Sequence, residues 1–199
     1  MIPLACAPTT RANPAAFRGP FCDRHFSLPP RSPAAEPDLV AQPKTIGSEE
    51  IHAAIERLAS AIAARHPDGA PLLLLGIANG GIELARRVSA RLAAGRSAAV
   101  RTGTLDISFH RDDIGRNPIP KEFAPTHIPA DVNGALVILV DDVLFSGRTV
   151  KAALDELFDH GRPSRVELAI LVDRGGRRLP FAPDYCALTV ETEETEKVV

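Results

Sequence analysis

Val137-Ile-Leu-Val-Asp-Asp-Val-Leu-Phe-Ser-Gly-Arg-Thr149 joins an aliphatic run to a small-residue turn and the start of a helical pattern. The run has no polar alternation, so Leu136 to Val140 reads as a strand covered on both faces. Asp141 and Asp142 follow where that strand is expected to end, so both are expected to emerge into the crevice beyond it, and a helix is expected from Thr149 to Phe158. Adjacent carboxylates at a strand end can accept hydrogen bonds from vicinal sugar hydroxyls or hold a metal. The hydroxyls of Ser146 and Thr149 and the backbone N–H groups around Gly147 stand at a helix start, where a partial charge of about +0.5 suits a phosphate. Turn chemistry leaves a plainer option open, in which the acids cap a turn and Gly147 only supplies a positive φ. The conjunction of strand, paired acids, turn and helix start is more specific than a lone glycine-rich motif, and it favours a ribose- and phosphate-binding loop.

Outward from this stretch, strands alternate with helices. Ser48 is a candidate N-cap, with Glu49 and Glu50 in the first turn and apolar residues at Ile51, Ala54, Ile55, Leu58, Ala61 and Ile62, giving an amphipathic helix that closes near His66-Pro67. Leu72 to Leu75 form a short apolar run ending at Gly76, and Gly80-Gly81 opens a helical pattern through Leu92. Ala98 to Phe109 reads as extended and His110 to Thr126 as a long loop or hairpin, while Val166 to Val172, apolar apart from Glu167, is a further strand. This order predicts an α/β fold, a parallel sheet flanked by helices. Gly76 to Gly81, Asp141 to Thr149 and Asp173 to Arg178 each follow a strand, so they are expected to converge where such sheets bind ligands.

The totals fit one ordinary domain. The chain has 199 residues, 45% apolar and 24% charged, with a net charge of -2, which argues against a protein coated in nucleic-acid-binding charge. Cys6, Cys22 and Cys186 are too scattered for a disulfide framework or a zinc site, and no apolar run approaches the ~20 residues of a membrane span. A cytoplasmic location without membrane partners is expected. Residues 1–45 are rich in Pro, Ala, Arg and Ser without periodicity, and are expected to form a disordered extension before a domain spanning 46–199.

The central stretch resembles the phosphoribosyl pyrophosphate (PRPP) motif of type I phosphoribosyltransferases. Together with Asp106-Ile-Ser-Phe-His-Arg-Asp-Asp113, Gly161-Arg-Pro163 and Leu171-Val-Asp-Arg-Gly175, it resembles the PyrR family of pyrimidine-operon regulators with uracil phosphoribosyltransferase activity. The resemblance implies a type I phosphoribosyltransferase-like twisted parallel sheet with a small hood. It implies transfer of phosphoribosyl from PRPP to uracil, giving UMP and pyrophosphate, with Mg²⁺ carried on the PRPP diphosphate rather than by an assigned side chain. It also implies a homodimer or homotetramer, with pyrimidine-operon mRNA as a further partner. Carried over residue by residue, Asp141 and Asp142 would contact the ribose hydroxyls, and Phe145, Ser146, Gly147, Arg148 and Thr149 the 5-phosphate, with Val143 and Leu144 in the same motif. Asn79, Gly80 and Gly81 would face the diphosphate, Arg111 and Arg174 would be the nearest side-chain donors, and the backbone of Val198 would face the base. Arg111, Asp141 and Asp142 are the catalytic candidates. His110 reads as packed or solvent-facing, and Arg177 and Arg178 as surface charge.

Two departures bear on activity. Gly76-Ile-Ala-Asn-Gly-Gly81 lacks the basic residue that the family usually places in this loop, and a lost charge-assisted hydrogen bond costs about 1.5 to 3 kcal/mol. Ala187-Leu-Thr-Val-Glu-Thr-Glu193 is acidic where the family is basic, and the final strand after Val198 is expected to be missing. The alternatives are therefore a catalytically weak nucleotide sensor that regulates through RNA, or a transferase for another base. Arg174, Arg177 and Arg178 form the small basic cluster available for RNA phosphates, beside His52, Arg57 and Arg65 of the first helix.

Overall fold

The structure is a computed structural model, and it describes residues 45–67, 70–110 and 125–192. Arg111, Val198 and the extension expected over residues 1–45, apart from Thr45, lie outside the described residues. Helix α1 spans Ser48–Arg65, strand β1 Leu72–Ile77, α2 Gly80–Ala94, β2 Val100–Leu105, β3 Leu136–Leu144, α3 Arg148–His160, β4 Arg165–Asp173 and β5 Tyr185–Thr189. The strands form one sheet in the order β2-β1-β3-β4-β5, with every pairing parallel.

This order has a physical consequence for ligand binding. The chain leaves β1 through α2 towards β2 on one side, and leaves β3 through α3 towards β4 on the other. The boundary between β1 and β3 is thus the topological switch point, where a crevice opens beyond the strands' carboxyl ends. Opposite crossovers also put α2 and α3 on opposite faces. Leu84, Ala85, Val88 and Leu92 of α2 pack with α1 and with Leu72, Leu74, Ile138 and Val140. Val150, Ala152, Ala153 and Leu157 of α3 pack with Leu73, Leu75, Val137 and Leu139. Period-two alternation along the strands sends successive aliphatics to the two layers, which is why both faces of β1 and β3 read as apolar.

Several boundaries differ from the sequence expectation. Gly47, not Ser48, is the N-cap of α1, with extended backbone and its carbonyl accepting from Ile51 N–H at 3.1 Å. The expected extended stretch Ala98 to Phe109 narrows to Val100–Leu105. β3 runs four residues beyond Val140, because Asp141, Val143 and Leu144 stay in register with Ile170, Val172 and Asp173. β5 is a strand the sequence reading did not assign, pairing Tyr185 with Ala169 and Thr189 with Asp173. Its anchor is buried Glu167, whose carboxylate accepts from Tyr185 Oη at 2.6 Å and pairs with His66 Nε2 at 2.7 Å and Arg65 Nε at 3.3 Å. That cluster ties the end of α1 to β4 and β5 at the edge of the sheet remote from the crevice.

Candidate active site

Close backbone approach builds the floor of the crevice. A Cβ on Gly76 would lie 2.6 Å from the Gly81 carbonyl oxygen, and one on Gly81 would lie 2.1 Å from that of Val140. The start of α2 is therefore pressed directly onto the ends of β1 and β3, which only glycine permits. The Ala78–Asn79 peptide bond is cis. On Gly80 a Cβ would meet the Asp142 carboxylate at 2.0 Å, so this acid stands against the first turn of α2.

The two acids have different surroundings. Asp142 is exposed, and its Oδ1 accepts from Val143 N–H at 2.7 Å. Asp141 is only 6% exposed, which corrects the expectation that both carboxylates emerge into the crevice. Burial, then the charge of neighbouring Asp142, push its carboxyl well above the ordinary carboxylate range, although Asp142 N–H donates to it at 3.0 Å. A ligand hydroxyl donating to Asp141 would supply stabilisation that the buried carboxylate otherwise lacks.

Beyond the acids, Gly147 turns with φ 90° and caps α3, its carbonyl accepting from Lys151 N–H at 3.0 Å. The first turn of α3 carries no acidic residue, unlike those of α1 and α2, so the helix's own side chains do not offset its positive end. A pocket of about 200 Å³ lies beside it, lined by His110, Arg148, Lys151 and Leu179. His110 is held by α3, with Nε2 3.0 Å from Glu156 Oε2.

Residues 174–181 fold back over this turn as a small cap. Arg174 is 8% exposed, its guanidinium stacked 4.2 Å above the Phe145 ring and its Nε donating to Thr192 Oγ1 at 3.1 Å. Arg178 and Leu179 N–H groups both donate to Ser146 O at 3.0 Å. Arg177 is not surface charge, which corrects the expectation. Its Nη1 donates to the Phe145 carbonyl at 2.8 Å, and its Nη2 pairs with Asp173 Oδ2 at 2.6 Å. The Asp173 carboxyl feels burial, but the Arg177 hydrogen bond and Gly175 N–H outweigh it and hold it below its ordinary value. The signal in the sequence was Gly175-Gly176, two left-handed residues (φ 73° and 69°) that reverse the chain so Arg177 can reach back.

The Gly76 to Gly81 loop meets the central loop at Val140 and Asp142, and the Asp173 to Arg178 loop meets it at Leu144 to Ser146. The Gly76 to Gly81 loop gains no cation from its helix, because Arg86 and then Arg87 donate to Glu83 and hold its carboxyl at about 2. Among the described residues no group of three or more His, Cys, Asp or Glu side chains forms a metal cage, and no helix is long and apolar enough to cross a membrane.

A strand-end acid pair, an acid-free helix start and a glycine-built loop at one switch point define the phosphoribosyltransferase class, and residues 47–199 match the phosphoribosyl transferase domain family. The bifunctional protein PyrR of Roseiflexus sp. (strain RS-1) is 42% identical over 160 residues, covering 80% of this chain and 87% of the relative. That of Corynebacterium diphtheriae is 45% identical over 133 residues, covering 66% and 70%. A solved hypoxanthine-guanine phosphoribosyltransferase from Bacillus anthracis shares the fold with a TM-score of 0.58 at 20% identity, covering 75% of this chain and 84% of its own. The chain belongs to the PyrR family of the type I phosphoribosyltransferase superfamily.

Proposed function

We propose that the domain from about Ile46 onward binds PRPP with Mg²⁺ and transfers its phosphoribosyl group to uracil, giving UMP and pyrophosphate. The observation that carries this reading is the pairing of Asp141 and Asp142 with the acid-free start of α3 across one crevice. The carboxylates take the ribose hydroxyls, and the backbone from Phe145 to Thr149 takes the 5-phosphate. In the reaction a C–N bond forms at the anomeric carbon as the C–O bond to diphosphate breaks, and the base releases its N–H proton. Positive charge develops on the sugar ring, so fixed dipoles and orientation do the work and no covalent nucleophile is needed.

The residues present suit a magnesium ion that arrives with its ligand. Mg²⁺ favours one or two carboxylates plus substrate phosphates over an all-protein cage, and exposed Asp142 beside Gly80 is such a carboxylate. When bound, the ion neutralises the departing diphosphate. Asp142, standing against the first turn of α2, would face a diphosphate there and would be the residue to share its charge with the ion. Asn79 and the N–H groups of Gly80 and Gly81 supply the remaining donors.

Purified full-length protein is expected to form UMP from uracil and PRPP in the presence of Mg²⁺, and no product in a direct assay would end this reading. Titration calorimetry with PRPP, uracil and UMP separates binding from turnover. A second reading, a nucleotide-binding regulator with weak turnover, is favoured by the missing loop cation. It predicts tight PRPP or UMP binding with little product. Of the basic residues expected to meet RNA, Arg174 stacks on Phe145, Arg177 faces inward, and Arg65 pairs with Glu167 and Asp184, so these three would have to give up intramolecular partners to hold RNA. Loss of nucleotide-dependent RNA retention at low salt would remove the RNA part.

A further inference from the structure

The phosphate loop owes its shape to a side chain that lies behind it. We infer that Arg177 is a positioning residue for PRPP: it holds the carbonyl side of the Leu144–Ser146 backbone so that the N–H side faces the ligand. This inference rests on the function proposed above and names a residue that acts at that same site without touching the substrate.

The carbonyls of Leu144, Phe145 and Ser146 are all engaged from one side. Arg177 Nη1 lies 3.2 Å from Leu144 O and 2.8 Å from Phe145 O, while Ser146 O accepts from Arg178 and Leu179 N–H at 3.0 Å. In a trans peptide the carbonyl of one residue and the N–H of the next point in opposite directions. Fixing these three carbonyls therefore aims the N–H groups of Phe145, Ser146 and Gly147 away from the cap, towards the crevice. The same guanidinium is anchored on its other edge, with Nε donating to Phe181 O at 3.1 Å and Nη2 to Asp173 Oδ2 at 2.6 Å. A fork of five fixed donors can span carbonyls and a carboxylate in one plane, and an ammonium on a flexible stem cannot.

Phe145 closes the arrangement. Its ring lies under the Arg174 guanidinium, and a Cβ on Gly176 would come within 2.3 Å of its Cε2, so the reversal at Gly175-Gly176 is packed directly against the loop it clamps. Leu179 and Phe181 in turn lie 3.2 and 2.9 Å from where a Gly147 Cβ would stand. Residues 173–181 thus form a mould for the turn that precedes α3.

The test uses full-length wild type, Arg177→Ala, Asp173→Asn and, as a control, Arg162→Ala, whose exposed guanidinium also binds backbone carbonyls but at the far end of α3. Calorimetric titration with Mg²⁺ and PRPP is expected to show Arg177→Ala weakened by about ten- to hundredfold, the equivalent of one or two hydrogen bonds lost to the phosphate. Guanidinium ion at sub-denaturing concentration should recover part of that loss. Asp173→Asn, which keeps the fork but loosens its anchor, should lose less, and Arg162→Ala should match wild type. Unchanged affinity in folded Arg177→Ala overturns the inference, as does a loss that guanidinium does not recover. If Arg177→Ala fails to fold, unchanged affinity in Asp173→Asn overturns it instead. Wild type that takes up no PRPP would instead overturn the function proposed above, and this inference with it.

Discussion

Asp141→Asn is expected to raise the melting temperature at pH 8 while weakening PRPP binding by about one to two decades. The stability half follows from the carboxyl's environment. Its pKa in the folded chain lies well above the ordinary value of 3.8, because burial and the Asp142 charge disfavour the anion. Between those two values the folded state holds a proton that the unfolded state has released, so stability falls as pH rises through this window. The contribution is intact below about pH 3.8 and lost above the folded-state value. Asparagine has the same shape and no charge to lose, so the variant lacks this penalty and should gain most at high pH. Each 1 kcal/mol regained is worth about 2 to 4 °C in a chain of this size. Glu167 and Asp173 are shifted the opposite way, so the difference between variant and wild type across pH is the quantity to read.

The binding half has the opposite sign. A ribose hydroxyl donates to a carboxylate more strongly than to an amide, and losing a charge-assisted hydrogen bond costs about 1.5 to 3 kcal/mol. Calorimetry with Mg²⁺ and PRPP at pH 8 checks it. A variant that is more stable and binds as wild type would remove Asp141 from the site, while one that is no more stable would mean the buried carboxylate is already satisfied. This opposition is the usual mark of a group kept for function at a cost to the fold.

What the sequence could and could not disclose follows the same division between layers and details. β1, β3 and β4 were legible because a strand buried on both faces is dominated by aliphatics, with buried Glu167 the exception in β4, and the three loops could be placed because such strands run parallel. The end of β3 was misread because Asp141 and Asp142 interrupt the aliphatic pattern, although their backbone continues the ladder to Leu144. β5 escaped because only its first residue, Tyr185, is buried, so Tyr-Cys-Ala-Leu-Thr shows no sustained alternation. Arg177 escaped for a more general reason. Most of its acceptors are backbone carbonyls, which require no complementary residue type, so the Gly175-Gly176 turn and the Asp173–Arg177 spacing mark a reversal of the chain without naming what the guanidinium reaches. Burial of Asp141 is likewise a property of what folds over it, not of its neighbours in sequence.

Gly80→Ala and Gly81→Ala, one residue apart, are expected to fail in different ways. At Gly81 the added Cβ would lie 2.1 Å from Val140 O and 3.2 Å from Asp141 Cα, both backbone atoms of the central strand. Neither can move without shifting β3 against α2. Overpacking in a well-packed interior costs about 1 to 3 kcal/mol, and a clash with strand backbone belongs at the upper end, so the melting temperature should fall by about 6 to 12 °C. At Gly80 the nearest atoms are Asp142 Oδ2, Cγ and Oδ1, the far end of an exposed side chain that can rotate away. The fold should hold within about 2 °C, but the carboxylate is displaced from the start of α2, where the diphosphate and its Mg²⁺ are proposed to sit. Affinity for PRPP should fall about tenfold, the effect of losing one charge-assisted contact of about 1.4 kcal/mol, with a matching loss of Mg²⁺ dependence. Equal destabilisation of the two variants would mean that Asp142 is as rigidly held as the strand beneath it. Undiminished Mg²⁺ dependence in Gly80→Ala would remove Asp142 from the metal's surroundings.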